Sequence, residues 1–188
     1  MAVAPPPGVR GMRLGFVEPH LRCFGGIRRM IEFANRLVAR GHSLTFYLPD
    51  GERLECDWMR CDAEVRPIGS GIDDELDVVL FNHEPQWLVL DRFRRARRRV
   101  FYALHDGHCY GKEGSWESIH AAVDLRLANS GWTADRIEAH TGHRPVVQLG
   151  GVNREVFHPA AVRRSRPLRC SGERPRAGKG PDTSAAAA

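Results

Sequence analysis

The chain has 188 residues, of which 42% are hydrophobic and 27% are charged, so it can form one ordinary globular domain and a remainder but not two full domains. The net charge of +5 arises near the C-terminus: residues 1–160 contain 21 Lys and Arg and 21 Asp and Glu, whereas residues 161–188 contain 7 and 2. This balance disfavours a nucleic-acid-binding domain, because a surface that follows phosphates normally carries a basic excess.

Cysteine usage and the short apolar segments limit the class of protein further. The five cysteines are an odd set without CxxC spacing, which indicates reduced thiols and no zinc finger. Residues 1–11 (MAVAPPPGVRG) hold three prolines and no apolar segment, which predicts a disordered leader rather than a signal peptide. No apolar run approaches the roughly 20 residues that span a bilayer. We therefore expect a soluble, cytoplasmic protein, with peripheral contact at a membrane as the alternative.

Hydrophobic patterning predicts strands and helices that alternate along the chain. The predicted strands are residues 12–17, 43–48, 64–68, 77–81, 100–104, 124–128 and 145–148. The predicted helices are residues 27–40, 85–98, 116–122 and 130–139, the last with Ser130 as its N-cap. Such alternation predicts an α/β fold with a Rossmann-like parallel sheet flanked by helices, whose ligands bind where the strands end. The loops expected to carry chemistry are 18–26, 82–84, 105–111, 129–130 and 150–153.

A diglycine loop, Phe24-Gly25-Gly26, joins the first strand to the first helix. Glycines at this place let a ligand approach the backbone closely, and the amides at the helix N-terminus favour an anion. A tight strand-to-helix turn without any ligand explains paired glycines about as well. Because the spacing is not GxGxxG, a dinucleotide cofactor is disfavoured.

A polar cluster, His105 to Cys109 (HDGHC), follows a predicted strand. His105, with Asp106 beside it, could bond a sugar hydroxyl or a phosphate, or act as a general acid or base. Metal binding is less favoured because the cluster offers too few ligands for a site. A solvated polar loop is the structural alternative.

Two further segments carry charge. Glu84 lies in the loop 82–85 (NHEP) and could accept hydrogen bonds from hydroxyls, although an ordinary helix entrance before a proline is favoured. Six arginines occur within residues 92–99, and on the predicted helix they would spread over most of the circumference. A solvated face is therefore favoured, with anionic lipid headgroups or nucleic acid as lesser alternatives.

Five segments follow one another along the chain: FGGIRRMIEFANRLVARGHSLTFY, DVVLFN, YALHD, LRLANSGWTADRI and GGVNREVFHP. Taken together, they resemble the N-terminal domain of family 4 glycosyltransferases, the retaining group with the GT-B fold. The resemblance covers residues 12–159. The segment SGERPRAGKGPDTSAAAA at the end of the chain is similar to the start of that family's C-terminal domain.

The resemblance implies roles for particular residues. Gly25 and Gly26 would lie against the donor diphosphate and the acceptor, and His105 would contact the donor sugar rather than act as a nucleophile. Arg174 and Lys179 would neutralise the departing nucleoside diphosphate, an electrostatic role. The candidates for the acceptor side are Glu84, Asp106, Asn129 and Ser130. The family implies no metal and no cofactor besides the nucleotide-sugar donor substrate.

The sequence departs from the family in the second half. The paired glutamates that hold the ribose and the donor sugar have no counterpart before Ala188, and residues 160–188 are predicted to be a disordered linker and tail. We therefore expect the N-terminal half of a hexosyltransferase that is inactive by itself, with a sugar or lipid acceptor and with a C-terminal domain as its partner. The alternatives are a noncatalytic sugar- or phosphate-binding module and an Arg-rich peripheral interaction protein.

Overall fold

The computed structural model describes residues 11–70, 74–82, 92–105, 119, 121–154 and 157. Within these ranges, seven strands form one parallel sheet in the order β3-β2-β1-β4-β5-β6-β7. The strands are β1 Arg13–Val17, β2 Ser43–Leu48, β3 Glu64–Pro67, β4 Val78–Phe81, β5 Arg99–Ala103, β6 Leu125–Ala128 and β7 Val146–Val147. Two α-helices are described from end to end, α1 Gly25–Val38 and α2 Gly131–Thr141, and a 3-10 turn occupies Ile68–Ser70. Residues 119, 121 and 122 are also helical, as predicted for 116–122, and the other residues of that predicted helix lie outside the described ranges. These elements belong to a compact unit that ends at Asn153.

This architecture confirms the predicted Rossmann-like α/β fold, and the seven strands together with α1 and α2 begin and end within two residues of their predicted bounds. α2 also has the predicted N-cap, because the Ser130 hydroxyl accepts a hydrogen bond from the Thr133 amide at 3.1 Å. At its other end, Gly142 adopts a φ of 70° and closes the helix with a bond to the carbonyl of Glu138.

A helix was predicted over residues 85–98, of which 85–91 lie outside the described ranges. The prediction is wrong for residues 93–98, which form turns and irregular backbone. Phe93 is fully buried, with its ring 5.0 Å from that of Tyr47, and the Arg97 amide donates to the Leu76 carbonyl at 2.9 Å. These tertiary contacts hold the segment against the amino edge of the sheet, and helix propensity among its arginines does not outweigh them.

Several arginines of this segment make ion pairs at the same edge. Arg95 lies 3.5 Å from Glu75, and Arg98 lies 3.6 Å from Asp124. The run therefore forms no basic face of a helix, and its charge is partly compensated by carboxylates that precede β4 and β6.

Both faces of the sheet are buried at the strands β1, β2 and β5, as expected for parallel strands. On one face, side chains of β1 and β2 such as Phe16 and Phe46 form a cluster with the apolar side of α1. On the other face, Tyr47 and Phe81 belong to a second cluster. Gly15 faces this second cluster, and a Cβ there would lie 2.7 Å from the Leu76 side chain and 2.9 Å from the Tyr47 ring.

Candidate active site at the carboxyl edge of the sheet

Polar residues follow four neighbouring strands at the edge where the strands end, here called the carboxyl edge. Glu18 follows β1, Asn82 follows β4, His105 lies two residues after β5, and Asn129 follows β6. The chain runs outward from β1 to β2 and β3, and then returns to place β4 on the other side of β1. A reversal of this kind opens a crevice between the two strands, where ligands of open α/β sheets bind.

A buried carboxyl group lies at this reversal. The Glu18 side chain is fully buried, and its Oε1 accepts a hydrogen bond from Asn82 Nδ2 at 2.9 Å. Its Oε2 is also buried and has no hydrogen-bond partner within the described part of the chain. Burial raises the pKa of the Glu18 carboxyl well above its usual range, and the bond from Asn82 opposes this only in part. The site therefore favours a protonated, neutral Glu18.

Sequence reasoning assigned no role to Glu18 and treated it only as the start of a loop. A signal was present, because a carboxyl residue directly after a buried strand lies where parallel sheets bind ligands. The sequence did not indicate that Asn82 is the partner of Glu18. Asn82 comes 64 residues later and contacts Glu18 only because β4 pairs with β1.

The diglycine loop leaves the start of α1 uncapped. Phe24 occupies the N-cap position without any side-chain hydrogen bond, and the first turn contains no acidic residue. A Cβ on Gly25 would meet nothing within 4 Å, and its φ is not positive, so neither packing nor backbone conformation requires glycine there. A Cβ on Gly26 would lie 3.2 Å from the end of the Leu104 side chain. The first-turn amides of α1 are therefore open to an anion at the carboxyl edge.

Asn129 and Ser130 are engaged in local structure. Asn129 donates to the Leu104 carbonyl at 2.6 Å and accepts from the Thr133 hydroxyl at 2.7 Å, which ties the end of β5 to the start of α2. Ser130 caps α2. Both residues thereby position the backbone beside the half-buried His105. Contacts of Asn129 and Ser130 with an acceptor substrate, as expected from the sequence, would come in addition to these local hydrogen bonds.

The segment after β7 is attached to β5 and to α1. Tyr102 donates to the Gln148 carbonyl at 2.9 Å, and Asn153 donates to the two carboxylate oxygens of Glu32 at 3.0 and 3.2 Å. A Cβ on Gly150 would lie 2.6 Å from the Arg29 guanidinium, so a larger residue there would displace the end of the Arg29 side chain. The GGVN segment thus has a structural role against α1.

The remaining predicted site residues, Glu84, Asp106, Arg174 and Lys179, lie outside the described residues. Within the described ranges, no three His, Cys, Asp or Glu side chains are grouped so that they could hold a metal ion. The described helices also include none that is long and apolar enough to cross a bilayer.

The fold is similar to that of solved proteins that bind UDP, among them an α-glucosyltransferase. HepE of Anabaena in complex with UDP and glucose is 14% identical, with a TM-score of 0.56 over 78% of this chain and 46% of that chain. Its complex with UDP-glucose gives 13% identity and a TM-score of 0.52 over the same shares. An α-glucosyltransferase bound to UDP and a 13-mer DNA containing an HMU base gives 15% identity and a TM-score of 0.51, over 74% and 42%.

The similarity is structural and partial. This chain spans less than half the length of each of these proteins. No family model matches the sequence, and a search of curated proteins finds no match either. The described residues thus have the Rossmann-like α/β fold that occurs in GT-B glycosyltransferases.

Proposed function

We propose that this chain is the acceptor-side, N-terminal domain of a glycosyltransferase of the GT-B fold. The enzyme would belong to family 4 and transfer a hexose from a nucleotide sugar to an acceptor with retention. One observation carries the proposal: the uncapped start of α1, at Gly25 and Gly26, lies at the carboxyl edge of a fold shared with proteins solved with UDP bound. Preorganised amides at such a place stabilise the charge of a diphosphate.

The residues would divide the work of transfer. The first-turn amides of α1 contact the diphosphate of the donor, and His105, held at the end of β5, contacts the donor sugar. Arg174 and Lys179 would add positive charge to stabilise the leaving nucleoside diphosphate. Because the chain spans 46% of HepE, we propose that a second domain supplies the remaining donor contacts and that the chain alone does not transfer sugar.

The proposal is tested by titrating the ¹⁵N-labelled chain with UDP and, separately, with uridine. We expect UDP to shift the amide resonances of Gly25, Gly26 and Ile27, and uridine to leave them in place, because the contact is with the diphosphate. Absence of a UDP shift at millimolar concentration, or equal shifts with uridine, would contradict the assignment.

A charge variant sharpens this test. Gly25→Asp places a carboxylate at the first residue of α1, where open space accommodates it and the helix dipole favours it, yet where it repels a diphosphate. Gly131→Asp is the matched control, because Gly131 is the first residue of α2 and its Cβ would also meet nothing within 4 Å. The UDP shifts should disappear in the first variant and persist in the second.

A further inference from the structure

A cavity of about 520 Å³ lies at the carboxyl edge between the loops that follow β1 and β2. Its volume is within the range of roughly 300–1,000 Å³ that is usual for small-molecule sites. The loop after β1 contributes Leu21 and Arg22, and the loop after β2 contributes Glu52, Arg53 and Trp58. The cavity therefore lies beyond the ends of β1 and β2. On its other side, β1 borders β4 at the crevice that contains Glu18.

Trp58 gives this cavity a fixed aromatic wall. Its indole Nε1 donates to the Leu21 carbonyl at 2.7 Å, which joins the two loops. The ring is partly buried against the core cluster of α1 and β1, and Leu21 is only 4% exposed. Since the indole N–H already has a partner, the part of the ring that lines the cavity offers apolar surface.

The rest of the lining is charged and paired. Arg22 lies 3.2 Å from Glu52, and Arg53 lies 2.8 Å from Asp57 and 3.2 Å from Glu55. Exposed ion pairs of this kind contribute only about 0–1 kcal/mol each, so their groups can turn to a ligand at little cost. The lining holds three carboxylates and two guanidinium groups, a balance that disfavours an anionic ligand.

An aromatic wall beside carboxylates and guanidinium groups suits a pyranose ring. The apolar C–H face of the sugar can cover the indole, its hydroxyls can donate to Glu52, and Arg22 can donate to its oxygens. We propose that this cavity is a subsite for a neutral sugar residue of the acceptor. The proposal rests on the function proposed above, because it names the chemistry of the acceptor that the transferase would use.

The test uses the 188-residue chain and saturation-transfer difference NMR. Three probes are neutral, the methyl α-glycosides of glucose, galactose and mannose, and glucose 6-phosphate is the anionic comparison. We expect at least one glycoside to bind with a millimolar Kd, and glucose 6-phosphate to bind no more tightly. Glu52→Gln should raise that Kd about tenfold, the usual consequence of losing one hydrogen bond to a charged group. Asp135→Asn on α2, which removes an exposed ion pair with Arg144, should leave that Kd unchanged.

The subsite is overturned if no glycoside binds, if Glu52→Gln binds as the unaltered chain does, or if the phosphate ester binds more tightly than the neutral sugars. Glu52 is at the surface, so its substitution tests binding without endangering the fold. No nucleotide is present in this titration. UDP shifts at Gly25 without glycoside binding would therefore overturn the subsite alone, and glycoside binding without UDP shifts would overturn the diphosphate contact alone.

Discussion

Replacement of Glu18 by Gln should change how the stability of this domain depends on pH. The folded protein buries the Glu18 carboxyl completely and leaves Oε2 without a hydrogen-bond partner within the described residues, so the neutral form is favoured. In the unfolded chain the same carboxyl is solvated and ionises near its ordinary pKa of 4.5. Glutamine keeps the size and an oxygen that can accept from Asn82, but it does not titrate.

The sign and the magnitude follow from proton linkage. Because the folded-state pKa is raised, the contribution of Glu18 to stability is fully present below 4.5 and is lost as the pH rises towards the folded-state pKa. In that window the folded state holds one more proton than the unfolded state, so the free energy of unfolding falls by about 1.4 kcal/mol per pH unit from this group. Glu18→Gln does not titrate and therefore does not lose this stability. The difference in free energy of unfolding, variant minus unaltered chain, should rise by about 1.4 kcal/mol per pH unit in that window.

The assay is urea denaturation followed by tryptophan fluorescence at a series of pH values from 4.5 upward, with the slope taken from the difference between the two proteins. Other carboxyl groups are common to both proteins and cancel in the difference. Glu138→Gln, an exposed position paired with Arg144, provides the baseline for losing a surface carboxyl. A difference that stays flat with pH would show that Glu18 ionises normally in the folded protein and would refute the reasoning from burial.

Three further outcomes are expected. Gly15→Ala should lower the free energy of unfolding by about 1–3 kcal/mol, because its Cβ would lie 2.7 Å from the Leu76 side chain and 2.9 Å from the Tyr47 ring; an unchanged urea midpoint would contradict this overpacking. Ser130→Ala should cost about 1 kcal/mol in the same assay, because the Thr133 amide loses its cap, and Ser130→Asp should restore most of it. The chain alone should release no UDP from UDP-glucose in the presence of the methyl glycosides, and turnover by the purified chain would disprove the need for a second domain.

Local sequence patterns determined most of the secondary structure. The spacing of Ile27, Met30, Ile31 and Ala34 places one apolar stripe on α1, and those four residues are the ones that the helix buries. Short apolar runs bounded by turn residues likewise predicted the strands. These predictions succeed because each depends on residues within one turn of helix or one length of strand, where the local period decides which face can be buried.

The segment at 93–98 shows where local pattern fails. Hydrophobic patterning predicted that this segment ends a continuous helix, and its arginines are good helix formers. The structure instead anchors Phe93 beside Tyr47 and the Arg97 amide to the Leu76 carbonyl. Both contacts reach residues outside the segment, so no period within it could indicate them.

The candidate site divides in the same way. The glycines at the start of α1 and the cap at Ser130 were visible in sequence because each lies directly before or within the first turn of a helix that the local pattern predicts. The burial of Glu18 was decided by strand order, since β4 lies beside β1 and brings Asn82 to it across 64 residues. The cavity wall is also tertiary, because the Trp58 indole reaches the Leu21 carbonyl across 37 residues. Local periodicity determines which face of a helix or strand is apolar. Which other element packs on that face depends on the order of the strands in the assembled sheet.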